Sequence, residues 1–76
     1  MNAMYTSTAE LIGIVVNCNL LNVRKEADSD SGIICTVSAL SELMVNLTES
    51  TDEFYKVYTV TGVEGFCLKK YVAIKQ

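Results

Sequence analysis

Leu21-Asn22-Val23-Arg24, Phe54-Tyr55-Lys56-Val57 and Gly62-Val63-Glu64-Gly65-Phe66, the last followed by Lys70-Tyr71-Val72, decide the fold of this chain. In the first stretch apolar and polar residues alternate, so Leu21 and Val23 face one side of an extended segment while Asn22 and Arg24 face the other. The same period of two runs outward from it. Gly13 to Val16 and Ile33 to Val37 are rich in Val and Ile, and Leu43, Val45 and Leu47 alternate with Met44 and Asn46. From Phe54 to Val60, Tyr55, Val57 and Thr59 occupy one face, with Phe54, Lys56, Tyr58 and Val60 on the other. Turn-forming stretches separate these runs: Asp28-Ser29-Asp30-Ser31-Gly32 in one loop, Ser50-Thr51-Asp52 in another. Thr61-Gly62 reads as a tight turn with Gly62 free to take positive φ. Thr36 to Val45 also holds the helix formers Ala39, Leu40, Glu42, Leu43 and Met44, but the alternation that follows favours a strand. Short strands at this spacing predict a sandwich or a small barrel, and a barrel suits so short a chain because it removes exposed sheet edges.

Bulk composition limits what such a barrel does. The chain has 76 residues, which is one domain, and a domain this small buries only about 60% of its unfolded surface. That leaves room for one shared core and none for a deep catalytic cavity. Half the residues are hydrophobic and a fifth are charged, a globular balance rather than a disordered one. A net charge of −3 opposes nucleic-acid binding, since Lys69, Lys70, Lys75, Arg24 and Lys25 are too few and too dispersed for a phosphate track. No stretch approaches the roughly 20 apolar residues of a membrane span, and Met1 to Glu10 lack the basic start of a secretory signal. Residues 1–9 read as an N-terminal extension to a domain over 10–76, and Met1-Asn2-Ala3 ahead of Met4 reads as a cloning remnant.

The chemistry-bearing residue types are sparse. Histidine is absent, and Cys18, Cys35 and Cys67 form no Cys-x-x-Cys pair. Three scattered thiols without His do not make a zinc site, and an odd number cannot all pair as disulfides. Each lies among apolar neighbours, so they read as small core residues. Without His, a Ser or Cys nucleophile lacks its usual base. Asp52 and Glu53 are adjacent and point apart on a strand, while Asp28 and Asp30 sit in a solvated loop. The expectation is a non-enzyme with no cofactor and no metal.

The three stretches, in this order and spacing, resemble the bacterial SH3 domain, whose usual wording is roughly LNVR, then GWYKV, then G-x-x-G-Y-V-x-x-x-Y-L. The match runs from about Gly13 to Val72. It implies an all-β, small SH3-like β-barrel of five to seven short strands, with a short helical turn at Lys69-Lys70-Tyr71 before the last strand. Gly65 falls on the family's glycine, where a side chain would crowd the neighbouring strand or the turn. The chain departs from the family in Lys25-Glu26-Ala27 where Ser-Gly-Pro is common, in Leu40 or its neighbour where a glycine is usual, and in Phe54 where Trp is common.

The resemblance also implies a function: a non-catalytic binding module that takes an extended peptide in a groove between the long loop and the central strands. Phe54, Tyr58 and Tyr71 are the expected aromatic platforms, tyrosine offering flat apolar area and one polar handle. Asp28, Asp30 and Asp52 are the expected acidic flanks that draw in a cationic ligand. Peptidoglycan stem peptides carry free amino groups, which points to cell-wall targeting. The alternative is an intracellular or mobile-element adaptor that binds a protein partner or self-associates as a homodimer through Met44 and Tyr58. The first places the chain at the cell wall as part of a secreted protein, the second in the cytoplasm. Asn22 is expected to satisfy backbone groups at a turn, and Arg24 to pair with a loop carboxylate.

Overall fold

A computed structural model describes residues 10–75; the extension expected over residues 1–9 lies outside the described residues. Seven strands follow one another: Glu10–Val15 (β1), Leu20–Arg24 (β2), Ile33–Ser38 (β3), Glu42–Asn46 (β4), Phe54–Thr59 (β5), Glu64–Leu68 (β6) and Val72–Lys75 (β7). A single 3₁₀ turn, Lys69–Tyr71, precedes β7. They form one antiparallel sheet in the order β3-β2-β6-β5-β4-β1-β7, curled into an SH3-like barrel as expected. No helix among the described residues is long and apolar enough to cross a membrane.

Alternation builds the core. Leu21 and Val23 of β2, Leu43 and Val45 of β4, Val57 of β5 and Cys67 of β6 are all buried, and they meet Val15 and Val72 in one cluster. Their strand neighbours Asn22, Met44 and Lys56 face the other way and are at least partly exposed. Strand β1 begins earlier than Gly13, because Glu10 and Leu11 already pair with Asn46 and Val45 of β4. It ends at Val15, where the Val16 N–H turns to donate to the Tyr71 carbonyl at 2.9 Å.

The stretch with helix-forming composition contains no helix. Between β3 and β4 the chain reverses at Ala39-Leu40, where the Ala39 and Leu40 N–H groups donate to the Asn19 and Val15 carbonyls at 2.9 and 2.8 Å. Helical winding there would remove Leu43 and Val45 from the core, so burial overrides local propensity. Leu40 adopts φ 67°, the left-handed conformation that a glycine takes at little cost. Its side chain is 75% exposed, so packing does not repay the strain.

Gly65 serves a different need. A Cβ there would lie 2.5 Å from Val23 Cγ1 and 2.6 Å from the Arg24 carbonyl oxygen. Arg24 and Phe66 are the only residues in register between β2 and β6, so this close approach is where the β2–β3 hairpin joins the rest of the sheet. At the far end, Gly62 takes φ 90° and its N–H donates to the Thr59 carbonyl at 2.9 Å, closing the tight turn from β5 to β6.

Two substitutions separate these roles. Gly65→Ala is expected to cost about 1–3 kcal/mol by overpacking the joint. Leu40→Gly is expected to gain about 0.5–1 kcal/mol, the released strain less the added backbone entropy. Urea unfolding of both variants beside the parent checks the signs.

Candidate peptide-binding groove

The site is assembled from β2, the start of β5, the end of β6 and the 3₁₀ turn. Phe54 opens β5 directly across from Leu68 of β6. Around this pair lies a depression of about 200 Å³. Leu20, Leu21, Asn22 and Arg24 of β2 form one bank, with Cys18 beside them, and Leu68 and Tyr71 form the other. Leu20 is 61% exposed and gives the groove an apolar lip.

Loops on either side are tied down by hydrogen bonds. The Lys69 N–H donates to the Glu53 carbonyl at 2.9 Å, so the loop before β5 is bonded directly to the 3₁₀ turn. Thr51 and Phe54 exchange bonds: the Thr51 N–H donates to the Phe54 carbonyl at 2.8 Å, and the Phe54 N–H to Thr51 Oγ1 at 3.2 Å. On the other side of the turn, Asn17 at φ 64° donates from Nδ2 to the Lys70 carbonyl at 3.2 Å. The groove walls are thus held from two directions before any ligand arrives.

The expected site residues divide among different places. Tyr71 lines the groove. Phe54 lies on the sheet face away from the core cluster, as its alternation requires, but it is only 4% exposed. It is the floor of the groove, not a platform standing in solvent. Tyr58 shares that face but not the groove: its cross-strand partners are Met44 and Glu64, and it borders a separate hollow with Ile12, Met44 and Val60. Lys56 lies between the two aromatics and divides the face. Asp52 borders a second depression, of about 390 Å³, with Ala27, Glu53 and Phe54. Asp28 and Asp30 are exposed in the long loop, where Asp28 Oδ1 accepts the Asp30 N–H at 2.8 Å.

Arg24 pairs with no carboxylate among the described residues; its Nη1 donates to the Ser31 carbonyl at 2.7 Å, fixing the loop to the groove wall. Asn22 lines the groove. Leu20, Leu68 and Cys18 had no motif to mark them in the sequence, because lining a groove depends on how strands curve together. No group of three or more His, Cys, Asp or Glu suited to a metal ion occurs among the described residues.

Ion pairs lie away from this site. Lys56 Nζ contacts Glu64 Oε2 at 2.9 Å and Glu49 Oε1 at 3.1 Å and sits 5.0 Å from the centre of the Phe66 ring. The hydrogen bonds it donates to Glu64 and then to Glu49 hold its ammonium above the usual lysine value. Lys75 pairs with Glu42 at 3.4 Å.

With the groove defined, comparison with known proteins is informative. The family described as bacterial SH3 domain matches residues 19–73. The chain belongs to the bacterial SH3 domain family. A search of curated proteins finds no match. For an SH3 domain of this family the general role is that of a non-catalytic binding module with a peptide or protein partner. The matched span contains every groove residue named above except Cys18.

Burial sets the thiol chemistry of this SH3 domain. Burial first, and the charges of Cys35 and Cys18 second, push the Cys67 thiol from 9.0 up to about 12. A raised pKa means that the unfolded chain loses its proton first, so the contribution is complete below pH 9.0 and is lost as pH rises toward 12. Lys56, also raised, adds to the loss above 10.5. Urea unfolding from pH 8 to 11 should show stability falling with pH, less steeply at the lower end in Cys67→Ala. Under native conditions a thiol reagent should label Cys18 and Cys35 quickly and Cys67 only on unfolding.

Proposed function

We propose that this SH3 domain is a cell-wall targeting module that holds a peptidoglycan stem peptide in the groove over Phe54. The observation that carries this reading is the groove itself. It is an apolar floor of Phe54 and Leu68 with Leu20 and Tyr71 along its banks and Asn22 and Arg24 as polar contacts. An open surface groove that sets Asn22 and Arg24 beside apolar Leu20, Leu68 and Tyr71 suits a peptide with both apolar and polar groups. Tyr71 supplies flat contact area with a hydroxyl at its end. Asp52, at the adjoining depression, supplies attraction for a free amine.

The domain would act by adhesion: it would hold an attached enzyme or surface protein at the wall while chemistry, if any, happens elsewhere. Phe54 is a poor probe, since removing a buried aromatic costs about 3–5 kcal/mol in stability. Leu20 is the better one because it is exposed and lines the groove. Purified domain should sediment with bacterial sacculi, and Leu20→Asp should lower the bound fraction several-fold at unchanged melting temperature. Tyr58→Ala, outside the groove, should bind as the parent does. Parent and Leu20→Asp bound equally would refute the reading.

A second reading draws on the outer face of β1, β4 and β5. Ile12, Met44 and Tyr58 stand in one cross-strand row, with Val60 85% exposed beside them. An exposed apolar row of this kind suits an adaptor that meets a protein partner or a second copy. On that reading Met44→Lys would abolish a concentration-dependent dimer in sedimentation equilibrium, and a parent that stays monomeric at millimolar concentration would exclude self-association.

A further inference from the structure

Two further depressions share wall residues with the groove over Phe54, and as arms of it they carry opposite charge. Phe54 is shared between the central groove and the depression bordered by Asp52 and Glu53. Leu68 is shared between the central groove and a third depression, of about 310 Å³, bordered by Lys69 and Lys70. Glu53 borders both arms. One arm is therefore purely acidic, the other is basic on balance, and Arg24 adds a cation on the bank of the centre.

Charge use elsewhere in the molecule makes this division informative. Among the described residues, every ion pair involves Lys56 or Lys75, with Glu42, Glu49 and Glu64. Asp52, Glu53, Lys69 and Lys70 enter none of them. Lys69 Nζ lies 5.1 Å from the centre of the Tyr55 ring and Lys70 Nζ 5.2 Å from that of Tyr71, contacts that orient each ammonium without neutralising it. The Lys69 N–H bond to the Glu53 carbonyl fixes the backbones at the two arms relative to each other. Opposite charges are thus held near one another without closing onto each other, with apolar surface between them.

We infer that the groove reads an extended zwitterionic peptide with a fixed polarity, its amine toward Asp52 and Glu53 and its carboxylate toward Lys69 and Lys70. This rests on the groove reading above and adds a direction to it. A purely cationic ligand would meet Arg24, Lys69 and Lys70 as repulsion, and a purely anionic one would meet Asp52 and Glu53. Only a ligand bearing both charges satisfies both arms. Asp28 and Asp30 line none of the three depressions and take no part.

The test uses a synthetic stem pentapeptide of L-Ala, γ-linked D-isoglutamine, L-Lys and two D-Ala, acetylated at its N-terminus so that the lysine amine and the C-terminal carboxylate are its only charges. Two relatives accompany it, one acetylated on the lysine amine and one amidated at the C-terminus. Affinities for the full chain are read at low ionic strength from NMR chemical-shift titrations, which also report where the peptide lies. Each blocked peptide should bind the parent about two- to fivefold more weakly than the unblocked one, the range for an exposed ion pair. Acetylation should cost nothing in Asp52→Asn/Glu53→Gln, and amidation nothing in Lys69→Gln/Lys70→Gln. If both blocked peptides bind the parent as tightly as the unblocked one, with shifts still at Phe54 and Tyr71, the polarity is wrong and the groove stands. If the cancellations are exchanged between the two variants, the direction is reversed. If no peptide shifts Phe54, Leu68 or Tyr71, the groove reading falls and takes the polarity with it.

Discussion

The close approach of β6 to β2 at Gly65 is the constraint on which the rest of this molecule depends. Val23 Cγ1 and the Arg24 carbonyl occupy the space a side chain at residue 65 would need. Because these strands share only the Arg24–Phe66 pair in register, their union relies on van der Waals contact more than on a long hydrogen-bond ladder. That contact closes the core around Val23 and Cys67. It also sets the distance between Leu20–Arg24 on one bank of the groove and Leu68 on the other. The barrel and its binding surface are consequences of the same juxtaposition.

From that joint the structure divides its work by face. The inner face is almost wholly aliphatic: Val15, Leu21, Val23, Leu43, Val45, Val57 and Val72, with Cys67 as a neutral thiol. The outer face is split by Lys56, whose ammonium is held between Glu49 and Glu64. Beyond it on one side lies the apolar row of Ile12, Met44 and Tyr58; on the other lies the groove over Phe54. The ion pairs cluster around this divider and along β4 and β7, leaving the charges near the groove open to a ligand.

Much of the fold was legible from the alternation of apolar residues. The burial of Leu21 and Val23 and the turn at Gly62 are local consequences of sequence, whereas the helical turn at Lys69–Tyr71 was implied by the family resemblance. Gly65 was legible as a position where a side chain would crowd a neighbour, although which neighbour required the strand order. Ala39 to Met44 has the composition of a helix, yet it forms a turn and a strand because Leu43 and Val45 are needed in the core. The left-handed backbone falls at Leu40; the resemblance placed the family's glycine at Leu40 or its neighbour and did not say which residue would carry the strain. The groove was less legible. Alternation placed Phe54 and Tyr58 on one face correctly, but it carries no information about how far apart they lie or what covers them. Phe54 is buried by the neighbours it meets across β6 and β2, and Arg24 is engaged by a backbone carbonyl that no charge pattern reveals. Leu20, exposed and unremarkable in the sequence, becomes a groove lip only because the fold sets it in one depression with Phe54, Leu68 and Tyr71.

The most direct measurement is the backbone NMR spectrum of the domain with and without a soluble peptidoglycan fragment. Shifts confined to Leu20–Arg24, Phe54 and Leu68–Tyr71 are the predicted result. Shifts concentrated instead on Ile12, Met44 and Tyr58, with the groove silent, would contradict the placement of the ligand over Phe54.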